Sequence, residues 1–151
     1  MMGDSIEKEI TLDAPGSRVW RALTDSAEFG AWFGCRMEGP FARGAVVHGR
    51  LTVPGYEHLT MKIVVQAMEA ETLFSYTWHP FAVDPAVDYS AETPTLVEFR
   101  LEPEGKGTRL RVTESGFDKL PEARRDIAFR MNSGGWAQQL KNIEAYVTPR
   151  S

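Results

Sequence analysis

Gly107-Thr108-Arg109-Leu110-Arg111-Val112-Thr113, continued through Glu114 into Ser115-Gly116-Phe117, decides the fold of this chain. Leu110 and Val112 alternate with Arg109, Arg111 and Thr113, the period of a strand with one apolar and one wet face. Past Phe117 the spacing lengthens, and residues 121–147 read as one long helix carrying Gly135-Trp136 and Leu140. A matching unit stands near the other end. There Ile6-Glu7-Lys8-Glu9-Ile10-Thr11-Leu12-Asp13-Ala14-Pro15 reads as a strand that runs into Val19-Trp20-Arg21-Ala22-Leu23-Thr24 and then Ala31-Trp32-Phe33. The two units predict an α+β domain: a sheet folded around one C-terminal helix, with a cavity between them in which function resides.

Working outward, residues 5–13 form the first strand, and Asp13-Ala14-Pro15 starts a short helix with Val19 and Leu23 on its apolar stripe. Ser26 is expected to cap a second short helix, in which Phe29, Trp32 and Phe33 recur at helical spacing. Five more strands are expected at about 45–53, 57–68, 72–79, 95–102 and 108–115, separated by Pro54-Gly55, Glu69-Ala70-Glu71 and Glu104-Gly105-Lys106-Gly107. Such short connections imply antiparallel neighbours. Residues 80–94, with Pro80, Pro85 and Pro94, read as a long loop of the kind that serves as a lid or binding loop. In the final helix Leu120, Ala123, Ile127 and Met131 form one apolar stripe, and Trp136, Leu140, Ile143 and Val147 a second. Gly134-Gly135 between them costs about 1 kcal/mol per glycine. The pair predicts either a break in the helix or a close approach to its backbone.

The 151 residues suit a single domain, 1–151, able to bury a real core. A net charge of −4 and a pI near 5.4 give no electrostatic reason to expect nucleic acid or an anionic membrane. Arg124-Arg125, the one basic pair, sits beside Glu122 and Asp126 and reads as a solvated helix face. The single cysteine, Cys35, rules out an internal disulfide and any multi-cysteine metal site, and reads as an inert buried thiol. No apolar run approaches the about 20 residues of a membrane span. The start Met-Met-Gly-Asp-Ser shows no leader pattern, so a cytoplasmic location is expected.

Period-two reading places Leu59, Met61, Ile63 and Val65 on one face, then Phe74, Tyr76 and Trp78, then Val97, Phe99 and Leu101. Extending the Leu110/Val112 register carries Glu114 onto the same inner face. There a carboxylate is costly unless it is paired. Glu114 is therefore either a polar anchor or general acid/base in the cavity, or a residue past the strand end that turns to water. His48 and His58, on neighbouring strands, lack a third metal ligand, and Glu57 faces away from His58, so surface histidines and no metal site are expected. His79 stands at the mouth of the long loop and could touch a ligand. Ser115-Gly116 lacks the flanking glycines of a nucleophile elbow, and Gly105-Lys106-Gly107-Thr108 is a hairpin turn rather than a phosphate loop.

The order of elements, with Ala14-Pro15, Val19-Trp20, Trp32-Phe33, Phe41-x-x-Gly44, Gly107-Thr108-Arg109-Leu110, Ser115-Gly116-Phe117 and Gly135-Trp136-x-x-x-Leu140, resembles the helix-grip superfamily of START domains, pollen allergens and polyketide cyclases. Within it the chain resembles the branch named for the activator of the heat-shock-protein-90 ATPase. The resemblance implies a curved antiparallel sheet gripping the C-terminal helix, and no particular reaction. Three functions follow as expectations. The first is a binding module for a small hydrophobic or aromatic ligand, without cofactor. Its site would be drawn from Trp32, Phe33, Met61, Tyr76, Trp78, Glu114, Phe117, Met131 and Trp136, with Asn132 as a further polar candidate. The second is a cyclase- or aromatase-like enzyme in which Glu114 is the catalytic candidate. The third is a chaperone partner. A homodimer could form through an exposed edge strand.

Overall fold

Alternating apolar residues in the strands put one sheet face against the C-terminal helix, and the computed structural model shows how. It describes residues 4–84 and 86–149. Readings that touch residues 1–3, and Pro85 as one of the loop prolines, lie outside the described residues. The order is β1 (Ser5–Leu12), α1 (Gly16–Thr24), α2 (Ser26–Phe33), β2 (Cys35–Met37), β3 (Val46–Leu51), β4 (Thr60–Glu69), β5 (Leu73–Trp78), β6 (Thr95–Glu104), β7 (Gly107–Ser115), a 3-10 turn (Phe117–Lys119) and α3 (Glu122–Val147). The seven strands form one curved antiparallel sheet ordered β1-β7-β6-β5-β4-β3-β2, which brings the two terminal units together at one end.

The inner ladder is apolar across the sheet: Phe74 pairs Phe99, Phe99 pairs Val112, and Leu101 pairs Leu110, all buried. The outer face carries exposed ion pairs such as Arg109–Glu102 at 2.7 Å and Arg111–Glu9 at 3.3 Å. Screened by water, such pairs contribute little. Gly107 is required where β7 begins, because a Cβ there would run into the Leu12 carbonyl. Gly116, with φ 101°, takes the left-handed turn that ends β7 and sends the chain toward α3.

Several expectations need correction. β2 is a seventh strand, too short for any periodicity to reveal. The cap of α2 is Asp25, whose carboxylate accepts from the Ala27 and Glu28 amides; Ser26 is already inside the helix. β4 begins at Thr60, so His58 lies in an exposed connection rather than on a strand. The helix α3 is unbroken across Gly134-Gly135, and nothing crowds either glycine.

The first stripe of α3 is also placed differently. Ile127 and Met131 point to water, 40% and 52% exposed, while Ala128 is fully buried. The inward line at i+4 spacing is Arg124, Ala128, Asn132 and Trp136. Two polar residues stand in it because each has a partner in the interior. Arg124-Arg125 is accordingly not a solvated face: Arg124 is mostly buried, with its side chain 18% exposed, and Arg125 donates to the Leu120 carbonyl.

Gly134→Ala should stabilise the protein by about 1 kcal/mol through helix propensity, raising Tm by about 2–4 °C for a domain of this size. Gly107→Ala should destabilise it by about 1–3 kcal/mol through overpacking. Thermal unfolding followed by circular dichroism compares the two; shifts of the same sign would contradict this account.

Candidate functional site

β7 does run on through Glu114 to Ser115, and Glu114 pairs with Ile6 on one side and Val97 on the other. Its side chain is therefore inward and 0% exposed. Four neutral donors meet its two oxygens. Trp136 Nε1 and Asn132 Nδ2 donate to Oε1 at 2.8 and 2.9 Å. Trp78 Nε1 and the Thr95 hydroxyl donate to Oε2 at 2.8 and 2.5 Å, and Asn132 Nδ2 also reaches Oε2 at 3.2 Å. Trp78 ends β5 and Thr95 opposes it at the start of β6, while Asn132 and Trp136 lie one turn apart on α3. One carboxylate thus ties three adjacent strands to the helix. Hydrogen bonds to a charged acceptor are worth about 1.5–3 kcal/mol each, which offsets the cost of burying it without a cation.

Beside this knot lies a cleft of about 530 Å³. Its walls are Phe33 of α2, Leu51, Leu59 and Met61 of the β3–β4 hairpin, Trp78, and Phe81, Val83, Val87 and Tyr89 of the loop between β5 and β6. Asn132 lies on its helix side, and His58, Lys62, His79 and Asp84 add polar groups. A smaller recess of about 150 Å³ is lined by Phe33, Trp78, Asn132, Gly135, Trp136 and Gln139, and it shares the first three with the cleft. The bare backbone of Gly135 leaves this recess open, since a Cβ there would meet nothing within 4 Å. Burial first, and then the Lys62 ammonium, hold the His79 pKa below the usual imidazole value.

The loop wall is held in place by Arg124. Its guanidinium donates to the carbonyls of Pro80 and Phe81, each at 2.9 Å, and takes Glu92 in a bidentate pair at 2.8 and 2.9 Å. It also lies over the Tyr89 ring at 4.6 Å. Phe81 is held with φ 50°, an uncommon backbone state for a bulky residue that such fastening supports.

The structure distributes the sequence-derived candidates unevenly. Phe33, Met61, Trp78 and Trp136 line one or both spaces. Glu114 lines neither, sitting behind Trp78, Asn132 and Trp136, which do. Trp32 is buried elsewhere, its indole N–H donating to the Ala22 carbonyl at 2.8 Å. Phe117 packs edge-on against Phe129 at 5.2 Å, and Met131 faces outward. Tyr76 is fully enclosed among Phe29, Phe74, Trp78 and Phe99, and its hydroxyl has no partner among the described residues. Burial first, and then the Glu114 charge, raise its pKa well above the usual phenol value. Thr95, Phe81, Tyr89 and Arg124 escape the sequence reading. Signals for two of them were present: the Val97, Phe99 and Leu101 register extends back to Thr95, and Arg124 stands eight residues before Asn132 on one helix line. Cys35 is buried and its pKa is pushed up to about 12 by that burial. Among the described residues no group of three or more His, Cys, Asp or Glu gathers in a metal-holding arrangement, and no helix is long and apolar enough to cross a membrane.

Glu114→Gln turns one acceptor into a donor facing donors and should cost about 2–3 kcal/mol. Trp136→Phe, which removes a single donor, should cost about 1–2 kcal/mol. Urea unfolding midpoints at unchanged slope measure both, and a neutral Glu114→Gln would contradict the anchoring role.

None of the curated protein sequences compared with the chain matches it. Among solved structures, protein MLL2253 of Mesorhizobium loti superposes with a TM-score of 0.73 at 28% identity, covering 93% of this chain and 94% of its own. The Aha1 dimer of Colwellia psychrerythraea gives 0.71 at 18% identity over 97% of this chain and 96% of that one. DynU16, a protein in the dynemicin biosynthetic locus, gives 0.72 at 21% identity over 96% of this chain, which spans only 47% of DynU16. The last two likenesses are of fold. The family model described as activator of Hsp90 ATPase homolog 1-like protein matches residues 13–148, from the turn after β1 to the end of α3. The chain therefore belongs to the activator of Hsp90 ATPase homolog 1-like family.

Proposed function

We propose that this chain binds a small apolar or aromatic molecule in the cleft between the sheet, α3 and the loop after β5. Fold and family support a ligand-binding domain in general. The cleft supports the finer reading: about 530 Å³ is the size of a small-molecule site, and apolar walls with a few polar groups are its usual composition. DynU16, with the same fold, is a protein in the dynemicin biosynthetic locus. Glu114 serves this reading as an anchor. Its oxygens are occupied by four donors and it lines neither space, so proton exchange with a bound molecule has no direct path through it. Two copies could pair through the free edges β1 and β2, as one neighbour is a dimer.

A library of aromatic and aliphatic compounds, screened by thermal shift, should yield ligands that raise Tm and quench Trp78 and Trp136 fluorescence. Val87→Arg alters a half-exposed cleft residue without touching the core. It should weaken those ligands about tenfold, the worth of one lost apolar contact of about 1.4 kcal/mol. A library without a single hit, or hits indifferent to Val87→Arg, would overturn the reading.

A further inference from the structure

The small recess beside the stacked pair Trp78 and Trp136 has a definite hydrogen-bonding character. Its lining side chains include four that carry N–H donors, and each of the four donates a hydrogen bond, with a second N–H remaining on Gln139 Nε2. Trp78 Nε1, Trp136 Nε1 and Asn132 Nδ2 bond Glu114, and Gln139 Nε2 donates to the Phe33 carbonyl at 2.9 Å. The Gln139 amide oxygen accepts from Asn142 at 2.9 Å. Asn132 Oδ1 is the one side-chain polar atom of the recess left without a partner among the described residues. Its orientation is not free. A carboxylate only accepts, so the amide nitrogen must face Glu114 and the oxygen must turn from it.

The shape agrees with the chemistry. A space of roughly 150 Å³ takes a benzene ring, and the recess measures about that. Trp78 and Trp136 stack on each other at 5.7 Å and 30°, and neither brings an N–H to the recess, since both indole N–H groups are spent on Glu114. The shared residues Phe33, Trp78 and Asn132 join the recess to the larger cleft.

From this we infer that the ligand presents an aromatic head bearing a neutral hydrogen-bond donor, a phenolic hydroxyl or an N–H. The head enters the recess against Asn132 Oδ1, with the rest of the molecule in the cleft. Glu114 is then a specificity-positioning residue: it never touches the ligand, but by fixing the Asn132 amide it makes this point of the recess an acceptor. A carboxylate or methyl-ether head is refused at this point, because either brings a lone pair against a lone pair. The inference rests on the cleft being a ligand site.

Calorimetric titration with 2-naphthol, 2-methoxynaphthalene and 2-naphthoate tests it. The wild type should bind 2-naphthol at least about tenfold more tightly than either analogue, the scale of one unmatched buried polar contact. In Asn132→Leu the preference for naphthol over its methyl ether should fall below about twofold. In Glu114→Gln, where Asn132 is free to flip, it should shrink or invert. If Glu114→Gln does not fold, Asn132→Leu carries the test alone. Equal wild-type affinities, a preference that survives Asn132→Leu, or no naphthalene binding while other library compounds bind would overturn the inference and leave the ligand site standing. Failure of every compound to bind would overturn both.

Discussion

A carboxylate buried without a cation organises this protein. The Glu114 oxygens can be satisfied only if Trp78, Thr95, Asn132 and Trp136 arrive together, and those residues come from two strands and the helix. The sheet-to-helix spacing at this end is thus set by hydrogen-bond lengths, with Phe99 packed edge-on against Trp136 beside them. A purely apolar junction could slide by a fraction of a side chain at small cost. A junction of four donors around one acceptor group cannot, because each displaced donor loses its partner in a medium that offers no water.

The neighbouring cleft inherits that rigidity. Trp78, Asn132 and Trp136, three of the four donors of the knot, line the small recess, and the first two also line the cleft, so the knot holds the inner wall in place. The outer wall is made differently. The loop after β5 has no ladder to lean on and is fastened by Arg124 from α3, eight residues before Asn132 on the same inward line. Both fastenings therefore start from α3, one reaching the sheet and the other the loop.

This arrangement explains what the amino-acid pattern showed and what it hid. Strand alternation carried through to Glu114 because Leu110 and Val112 set a register that the next residue could only follow. The turns at Pro54-Gly55 and Glu104-Gly105-Lys106-Gly107 were legible from their glycines, whereas Glu69-Ala70-Glu71 has none and places Glu71 at φ 58°. The first half of α3 was not, since hydrophobic periodicity assumes that the inward line is apolar. Here it runs through Arg124 and Asn132, while Ile127 and Met131 face water. Membership of the cleft was only half legible for a related reason. Aromatic content alone does not separate Trp78, which reaches the open space, from Trp32, which spends its indole N–H on the Ala22 carbonyl. Position in space distinguishes them, and it depends on how α2 folds back over the sheet.

The grip of Arg124 on the loop has one more consequence. Two of its hydrogen bonds go to main-chain carbonyls, of Pro80 and Phe81, and a carbonyl is the same whatever side chain its residue bears. Attachment at those points is indifferent to the identity of Val83, Val87 or their neighbours. The loop wall of the cleft can therefore change its side chains at Val83 and Val87 while these two moorings hold and the Glu114 frame stays intact.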